Sequence, residues 1–187
     1  MVALLLFALI NRATTVCGVL IAILVPAVAF LSKDLTLVCG FVLMACITIV
    51  IDLFLGSRVR NGKKLKLSVF TFNARGVSKV AILIGSFGGY WISHDLYFVL
   101  SGLGCFLNLV AVSPNGGLMP VRKDFSDSIL LDPAQHCFAD EKTKLKILTD
   151  IFPISRVAAF SIGDLIMVLG LWYLAVSLMV RLSHFLY

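Results

Sequence analysis

Long apolar runs separated by basic segments dominate the chain. About 20 apolar residues are needed to cross a bilayer as a helix. The runs predict five transmembrane helices, at residues 13–31, 36–55, 77–92, 96–112 and 160–180. Only Ser-His-Asp separates the third run from the fourth, so we expect these two helices to form a tight antiparallel hairpin.

The N-terminal segment offers more apolar chain than one straight helix needs. Residues 1–12 end in Asn-Arg and lack the basic start that precedes the apolar core of a cleaved signal peptide. We therefore expect this segment to be retained, either lying in the membrane interface or forming part of the first span.

Composition supports a membrane protein. The 187 residues are 60% hydrophobic and only 14% charged, whereas a soluble domain has about 45–50% apolar and about 25% charged residues. The mean hydropathy is +1.03. We expect an all-α fold, an integral membrane helical bundle of one domain spanning residues 1–187, with loops 56–76 and 113–159 capping it on one side.

The distribution of basic residues predicts which side of the membrane the two loops occupy. The formal net charge is +6, and the chain contains 16 Lys and Arg. One is Arg12, seven lie in or beside the first long loop, six lie in the second, and only Lys33 and Arg181 remain on the other side. The excess of Lys and Arg in cytoplasmic loops predicts a cytoplasmic N-terminus, an external C-terminus and two cytoplasmic loops. It also favours contact with anionic lipid headgroups over binding of nucleic acid.

The segment SPNGGLMPV follows the fourth run. Gly116 and Gly117 can adopt positive φ, and Asn115 tolerates the same geometry. Pro120 stops the helix from continuing. One interpretation is a helix C-cap and turn. The alternative is a pocket in which exposed amides, with Arg122 nearby, bind an anion or a headgroup.

The segment SIGD opens the fifth run. Ser161 followed three residues later by Asp164 is the pattern of a capping box, and a negative charge is favourable at a helix N-terminus. The alternative is a functional acid, because ionisable residues in membrane segments usually face protein or water rather than lipid.

The second loop carries a histidine and an amphipathic segment. His136 lies between Asp132 and Asp140, but one histidine among acids is more typical of a polar surface than of a metal site. The segment DEKTKLKILTDIF places apolar residues on one side and lysines on the other, which predicts a helix lying in the membrane interface. Asp150, near its end, is expected to cap this helix or to pair with Arg156.

Glycines concentrate in the third and fourth runs. Small residues allow helices to approach closely, so we expect helix packing at Gly85, Gly88, Gly89, Gly102 and Gly104. Four of the five cysteines also lie inside apolar runs and no C-x-x-C pair occurs, which does not favour a zinc site or a disulfide framework.

Several segments together resemble a known family. FLNLVAVSPNGGLMPV, the histidine in DPAQH, TDIFPI and FSIGDLIMVLG are similar to a family of small bacterial polytopic membrane proteins of unknown function. Its members have an N-G-G-x-M-P-V turn, a loop His and an S-x-G-D helix start. The resemblance covers about 37–179, with Thr149 standing where the family has Gly. It implies the same architecture in a bacterial inner membrane and supplies no reaction.

These polar motifs all fall on the expected cytoplasmic side. We expect them to converge on one ligand-binding or structural site beneath the helices. The expected members are Asn115, Gly116, Gly117, Met119, Pro120, Arg122, His136, Asp150 and Asp164.

The sequence favours a non-catalytic role, since no nucleophile–base pair or metal-ligand set stands out and no cofactor is indicated. The first hypothesis is an accessory or assembly subunit of a larger membrane complex, partnered by other subunits or by its own copies. The alternative is a binder or carrier of a small amphipathic ligand, a lipid headgroup or a quinone, at the cytoplasmic face.

Overall fold

The computed structural model of the chain describes residues 35–51, 54, 65–67, 70–72, 74–122, 136–155 and 158–186. The expected first span, 13–31, and the segment before it lie outside the described residues.

The described residues are mostly helical, as expected. Their four α-helices are α1 (Leu35–Ile51), α2 (Ala74–Ser93), α3 (Leu96–Val112) and α4 (Ile162–Leu186). Two of them are long and apolar enough to cross a membrane, over Leu96–Asn115 and Ile162–Arg181. Helix α1 is apolar but shorter. Five spans remain a prediction.

The loops contain short β-strands, so the fold is mainly but not purely α-helical. Three short strand pairs occur: β1 (Leu65–Leu67) with β2 (Phe70–Phe72), β3 (Met119–Val121) with β4 (His136–Phe138), and β5 (Phe152–Ser155) with β6 (Ala158–Phe160). The β3–β4 pair is parallel and the other two are antiparallel. Each pair satisfies backbone N–H and C=O groups that a folded loop would otherwise leave without partners.

Successive helices pack side by side in antiparallel pairs. Between α1 and α2, Gly85 lies against Met44 while Gly40 lies against the carbonyl of Gly89, so the two helices run in opposite directions. The same reversal relates α2 to α3 and α3 to α4. Each described helix therefore packs against the next one in the chain.

An aromatic and aliphatic core joins three helices at one end. Phe98 is 1% exposed and packs beside Leu37 of α1 and Leu174 of α4. The rings of Phe41 and Tyr97 stack with centroids 5.2 Å apart. The core lies beside the α2–α3 turn, and the loops described above lie at the opposite end of the helices.

The α2–α3 turn is as short as the sequence predicts. Asp95 caps α3 by accepting a hydrogen bond from the Tyr97 N–H at 2.9 Å. Its second carboxylate oxygen accepts from Arg181 Nη2 at 3.1 Å, with the Asp95 side chain only 2% exposed. The ion pair fixes α4 to the hairpin, because removing Arg181 would leave the buried carboxylate of Asp95 poorly compensated.

Each of the five predicted packing glycines lies at a helix contact. A Cβ on Gly85 or Gly88 would meet α1, one on Gly89 would meet the Phe98 ring, and one on Gly102 would meet Ser86 of α2. At Gly104 the neighbour is α4, where a Cβ would come within 2.5 Å of the Gly163 carbonyl oxygen. A side chain at Gly104 would therefore meet the backbone of α4, which cannot move aside as the end of a flexible side chain can.

The prediction of an amphipathic helix in the second loop is wrong. Residues 140–152 contain only one 3-10 turn, Lys146–Leu148. Leu145, just before it, has a left-handed φ of 54°, which an α-helix cannot continue through. The chain instead makes hydrogen bonds to the turn after α3, and these long-range contacts override the local periodicity.

Replacing Gly104 with Ala should lower the free energy of unfolding by about 1–3 kcal/mol, because the new Cβ overpacks the α3–α4 contact. Gly102→Ala is the matched control: its Cβ would lie 3.3 Å from Ser86 Cβ, and alanine gains helix propensity. Thermal unfolding in detergent compares the two variants. Equal transition temperatures would contradict the close α3–α4 approach.

Candidate functional site

The glycine turn after α3 is a helix C-cap. Helix α3 passes into a 3-10 turn, Ser113–Asn115, and the chain reverses through Gly116 and Gly117 with φ of 71° and 82°. The Gly117 N–H donates to the Val112 carbonyl at 3.1 Å, and the Leu118 N–H donates to the Asn115 carbonyl at 3.4 Å. These two amides are therefore engaged within the turn, which favours the capping interpretation over amide binding of an anion.

The Asn115 side chain ties this turn to the second loop. Its Nδ2 donates to the Ala111 carbonyl at 2.7 Å and to the Lys144 carbonyl at 3.0 Å. Its Oδ1 accepts from the Lys144 N–H at 3.0 Å. One amide thus satisfies three backbone groups, a supporting role that holds the loop against the end of α3.

Strand β3 pairs with strand β4 on one side and with the backbone of Asp150 on the other. Met119 lies opposite His136 in the parallel β3–β4 register. On the other side, the Asp150 N–H donates to the Pro120 carbonyl at 3.1 Å, and Val121 forms a parallel bridge with Asp150. This arrangement brings His136 Nε2 to 3.7 Å from Asp150 Oδ2.

The start of α4 forms the capping box that the sequence suggests. Asp164 N–H donates to Ser161 Oγ at 3.0 Å, and the Asp164 carboxylate accepts from the Ser161 N–H at 3.0 Å through Oδ2. Two of the N–H groups that a helix start leaves unpaired are satisfied reciprocally.

Asn108 of α3 joins this cap and was missed by the sequence analysis. It is 0% exposed, its Nδ2 donates to Asp164 Oδ1 at 2.8 Å, and its Oδ1 accepts from the Ser161 hydroxyl at 2.6 Å. The same hydroxyl lies 2.8 Å from Asp164 Oδ2, so its single proton serves one acceptor at a time. The signal available in the sequence was an amide inside the apolar run FLNLVAV, since polar residues in such runs usually face a partner.

A cavity of about 320 Å³ lies where these elements meet. It is bounded by the first turns of α2, the end of α3, the β3–β4 pair, strand β6 and the start of α4. Four ionisable side chains line it, Lys79, His136, Asp150 and Asp164, and its apolar wall includes Val112, Met119, Ala159 and Phe160.

The structure brings most of the predicted site residues to this cavity. Five of the nine predicted members line it: Gly117, Met119, His136, Asp150 and Asp164. Asn115, Gly116 and Pro120 support the turn and strand behind it. Arg122 is exposed and lies outside the lining. Lys79 was missed as a site residue, since in the sequence it is one basic residue among several that flank the third run.

Burial changes the acidity of Asp150. The residue is 4% exposed, and loss of solvation raises the pKa of its carboxyl from 3.8 to about 7. The nearby charge of Asp164 acts in the same direction, while Lys79 opposes it. A carboxyl of this acidity beside an imidazole can hold or release a proton near neutral pH.

Within the described residues, no three His, Cys, Asp or Glu side chains converge as a metal centre requires. The side chains that line the cavity offer hydrogen bonding, charge and an exchangeable proton.

A family model matches residues 31–176, which include every element of the cavity. The chain belongs to DUF5317, a family of unknown function. The resemblance to an uncharacterised family is thus confirmed. No curated protein and no solved structure matches the chain.

Asp150→Asn should flatten the dependence of stability on pH. Because the pKa of Asp150 in the folded chain, about 7, lies above its ordinary value of 3.8, its carboxyl binds more protons folded than unfolded between these values. The free energy of unfolding should then fall by roughly 1–3 kcal/mol as pH rises from about 5 to 8, and the variant should lose most of this decline.

Thermal unfolding of detergent-solubilised protein across that pH range measures the effect. Glu141→Gln removes an exposed carboxyl from the same loop and should leave the slope unchanged. The same slope in the wild type and in Asp150→Asn would show that Asp150 is not the titrating group.

Proposed function

We propose that the chain is a multi-pass protein of the bacterial inner membrane that binds a small amphipathic ligand at its cytoplasmic face. The observation that carries this proposal is the cavity, which combines four ionisable side chains with an apolar wall. Its volume of about 320 Å³ falls within the range of roughly 300–1,000 Å³ that is typical of small-molecule sites.

The outer faces of the helices support a lipid environment. Large apolar side chains lie exposed on all four, among them Ile49 of α1, Phe87 of α2, Phe106 of α3 and Trp172 of α4. Large apolar side chains exposed on every described helix suit contact with lipid.

The charge distribution supports a cytoplasmic position for the cavity. The start of α2, the end of α3 and the start of α4 meet at the cavity, and the basic loops join the same ends of these helices. The opposite end has the Asp95–Arg181 pair. By the positive-inside rule, the end with the lysine- and arginine-rich loops faces the cytoplasm.

A ligand-binding role fits the structure better than an accessory-subunit role. The hypothesis of an accessory subunit depended in part on glycine-rich helix faces that could pack against helices of other subunits. The predicted glycines instead meet α1, Phe98, Ser86 and α4 of the same chain. The cavity, by contrast, offers a concave surface of mixed polarity, which is the usual form of a small-molecule site.

Filling the cavity should displace the ligand. Ala159 lines the cavity, so Ala159→Met should place a larger side chain in it. Native mass spectrometry of wild-type protein, extracted from its own membrane in mild detergent, should show a reproducible additional small mass that the variant loses. Ala139→Met, a half-buried alanine outside the lining, should retain that mass.

A wild-type chain with no additional mass would overturn the ligand-binding proposal. Other protein chains bound in fixed stoichiometry, with no small molecule, would favour the accessory-subunit function instead.

Reporter fusions should test the orientation. Alkaline phosphatase folds into an active enzyme only outside the cytoplasm, so a fusion after Tyr187 should be active and an insertion after Glu141 should be inactive. A green fluorescent protein at each position should give the reverse pattern. Activity of the phosphatase at Glu141 would contradict a cytoplasmic cavity.

A further inference from the structure

Taking the proposed ligand-binding function as its basis, we infer that the cavity recognises a phosphate group of its ligand through the ammonium of Lys79. The group belongs to the headgroup of a membrane phospholipid or to free phosphate, and these sources share the same oxyanion chemistry. The inference depends on which charges in the cavity already have partners.

Both carboxylate oxygens of Asp164 accept hydrogen bonds from the protein. Its Oδ1 accepts from Asn108 at 2.8 Å, and its Oδ2 accepts from the Ser161 N–H at 3.0 Å. It also lies at the N-terminus of α4, where a negative charge is stabilised by the helix dipole. This acid therefore has a structural role in the helix cap, and the hydrogen bonds and the helix dipole offset part of its negative charge in the cavity.

The Asp150 carboxyl lies next to the imidazole of His136. It lies 3.7 Å from His136 Nε2, and its side chain is only 6% exposed. Burial to this degree disfavours a lone negative charge. A carboxyl that is protonated, or that faces an imidazolium, adds no net negative charge, so the His136–Asp150 pair opposes an anion less than a lone carboxylate would.

The remaining ionisable side chain of the cavity is the lysine Lys79. It lies in the second turn of α2, is half-buried and lines the cavity. Among the residues that the structure describes, it forms no hydrogen bond or ion pair within the usual distances. A half-buried ammonium attracts an oxyanion more strongly than an exposed one does, because solvent screens it less.

The surroundings favour an anion as well. Fourteen of the 16 Lys and Arg lie on this side of the predicted membrane, which raises the local concentration of anions. A cationic ligand would meet the ammonium of Lys79 and two acids that already have partners. Phospholipid phosphates also lie at the depth where a helix leaves the membrane, and the apolar wall suits the start of an acyl chain.

The test uses the purified full chain in mild detergent and three variants. Lys79→Gln removes the charge, Lys79→Arg keeps it, and Lys142→Gln removes an exposed lysine on the same side that does not line the cavity. Each protein is incubated either with phosphatidylglycerol vesicles or with inorganic phosphate. Native mass spectrometry then measures retained phospholipid, and calorimetric titration measures phosphate binding.

We expect Lys79→Gln to lower retention by about tenfold or more, as loss of a charge-assisted hydrogen bond implies. Lys79→Arg and Lys142→Gln should remain near the wild type. Retention of phospholipid without phosphate binding identifies the headgroup as the source, and binding of phosphate alone identifies the free anion. Thermal unfolding of each variant separates loss of binding from loss of folding.

Two outcomes would overturn the inference. Equal retention by the wild type and by a folded Lys79→Gln would exclude Lys79 as the recognition group. A bound small molecule without phosphorus would exclude phosphate chemistry while leaving the ligand-binding function intact. A wild-type chain that binds nothing at all would overturn both proposals.

Discussion

The hydrogen-bonded cluster of Asn108, Ser161 and Asp164 is the contact on which the loop end of the structure depends. It joins the last turns of α3 to the first turn of α4. The contact requires the backbones to approach closely, and Gly104 and Gly163 face each other there without side chains. In a buried setting each unmade hydrogen bond is costly, so this cluster fixes one arrangement of the two helices.

The second loop is held against this helix pair by its backbone. Asn115 binds the Lys144 peptide group, and the Pro120 carbonyl accepts from the Asp150 N–H. These contacts exclude solvent from the Asp150 carboxyl, which raises its pKa to about 7. The proposed ligand site is thus made by the loop closing over the helix ends, with the structural acid Asp164 on one side and the titrating acid Asp150 on the other.

Local features of the site could be predicted from the sequence, and distant ones could not. The capping box at Ser161 and the glycine turn at Gly116 depend on a few adjacent residues, so a short motif was sufficient. The interfacial helix near Leu145 was wrongly predicted, because hydrogen bonds from Asn115 and β3 outweigh the local amphipathic pattern. Lys79 and Asn108 could not be predicted as site residues, because the groups that lie near them in the structure are distant in the sequence.

The sequence by itself determined the apolar character of the helices, the helix ends at which the basic residues accumulate, the short α2–α3 turn and the resemblance to an uncharacterised family. These properties follow from solvent preference and short-range backbone geometry. The tertiary structure decided which charges share a cavity and which are already paired. That distinction depends on how closely α3 and α4 approach and on where the loop is held, because electrostatic and hydrogen-bonding partners are set by distance in space.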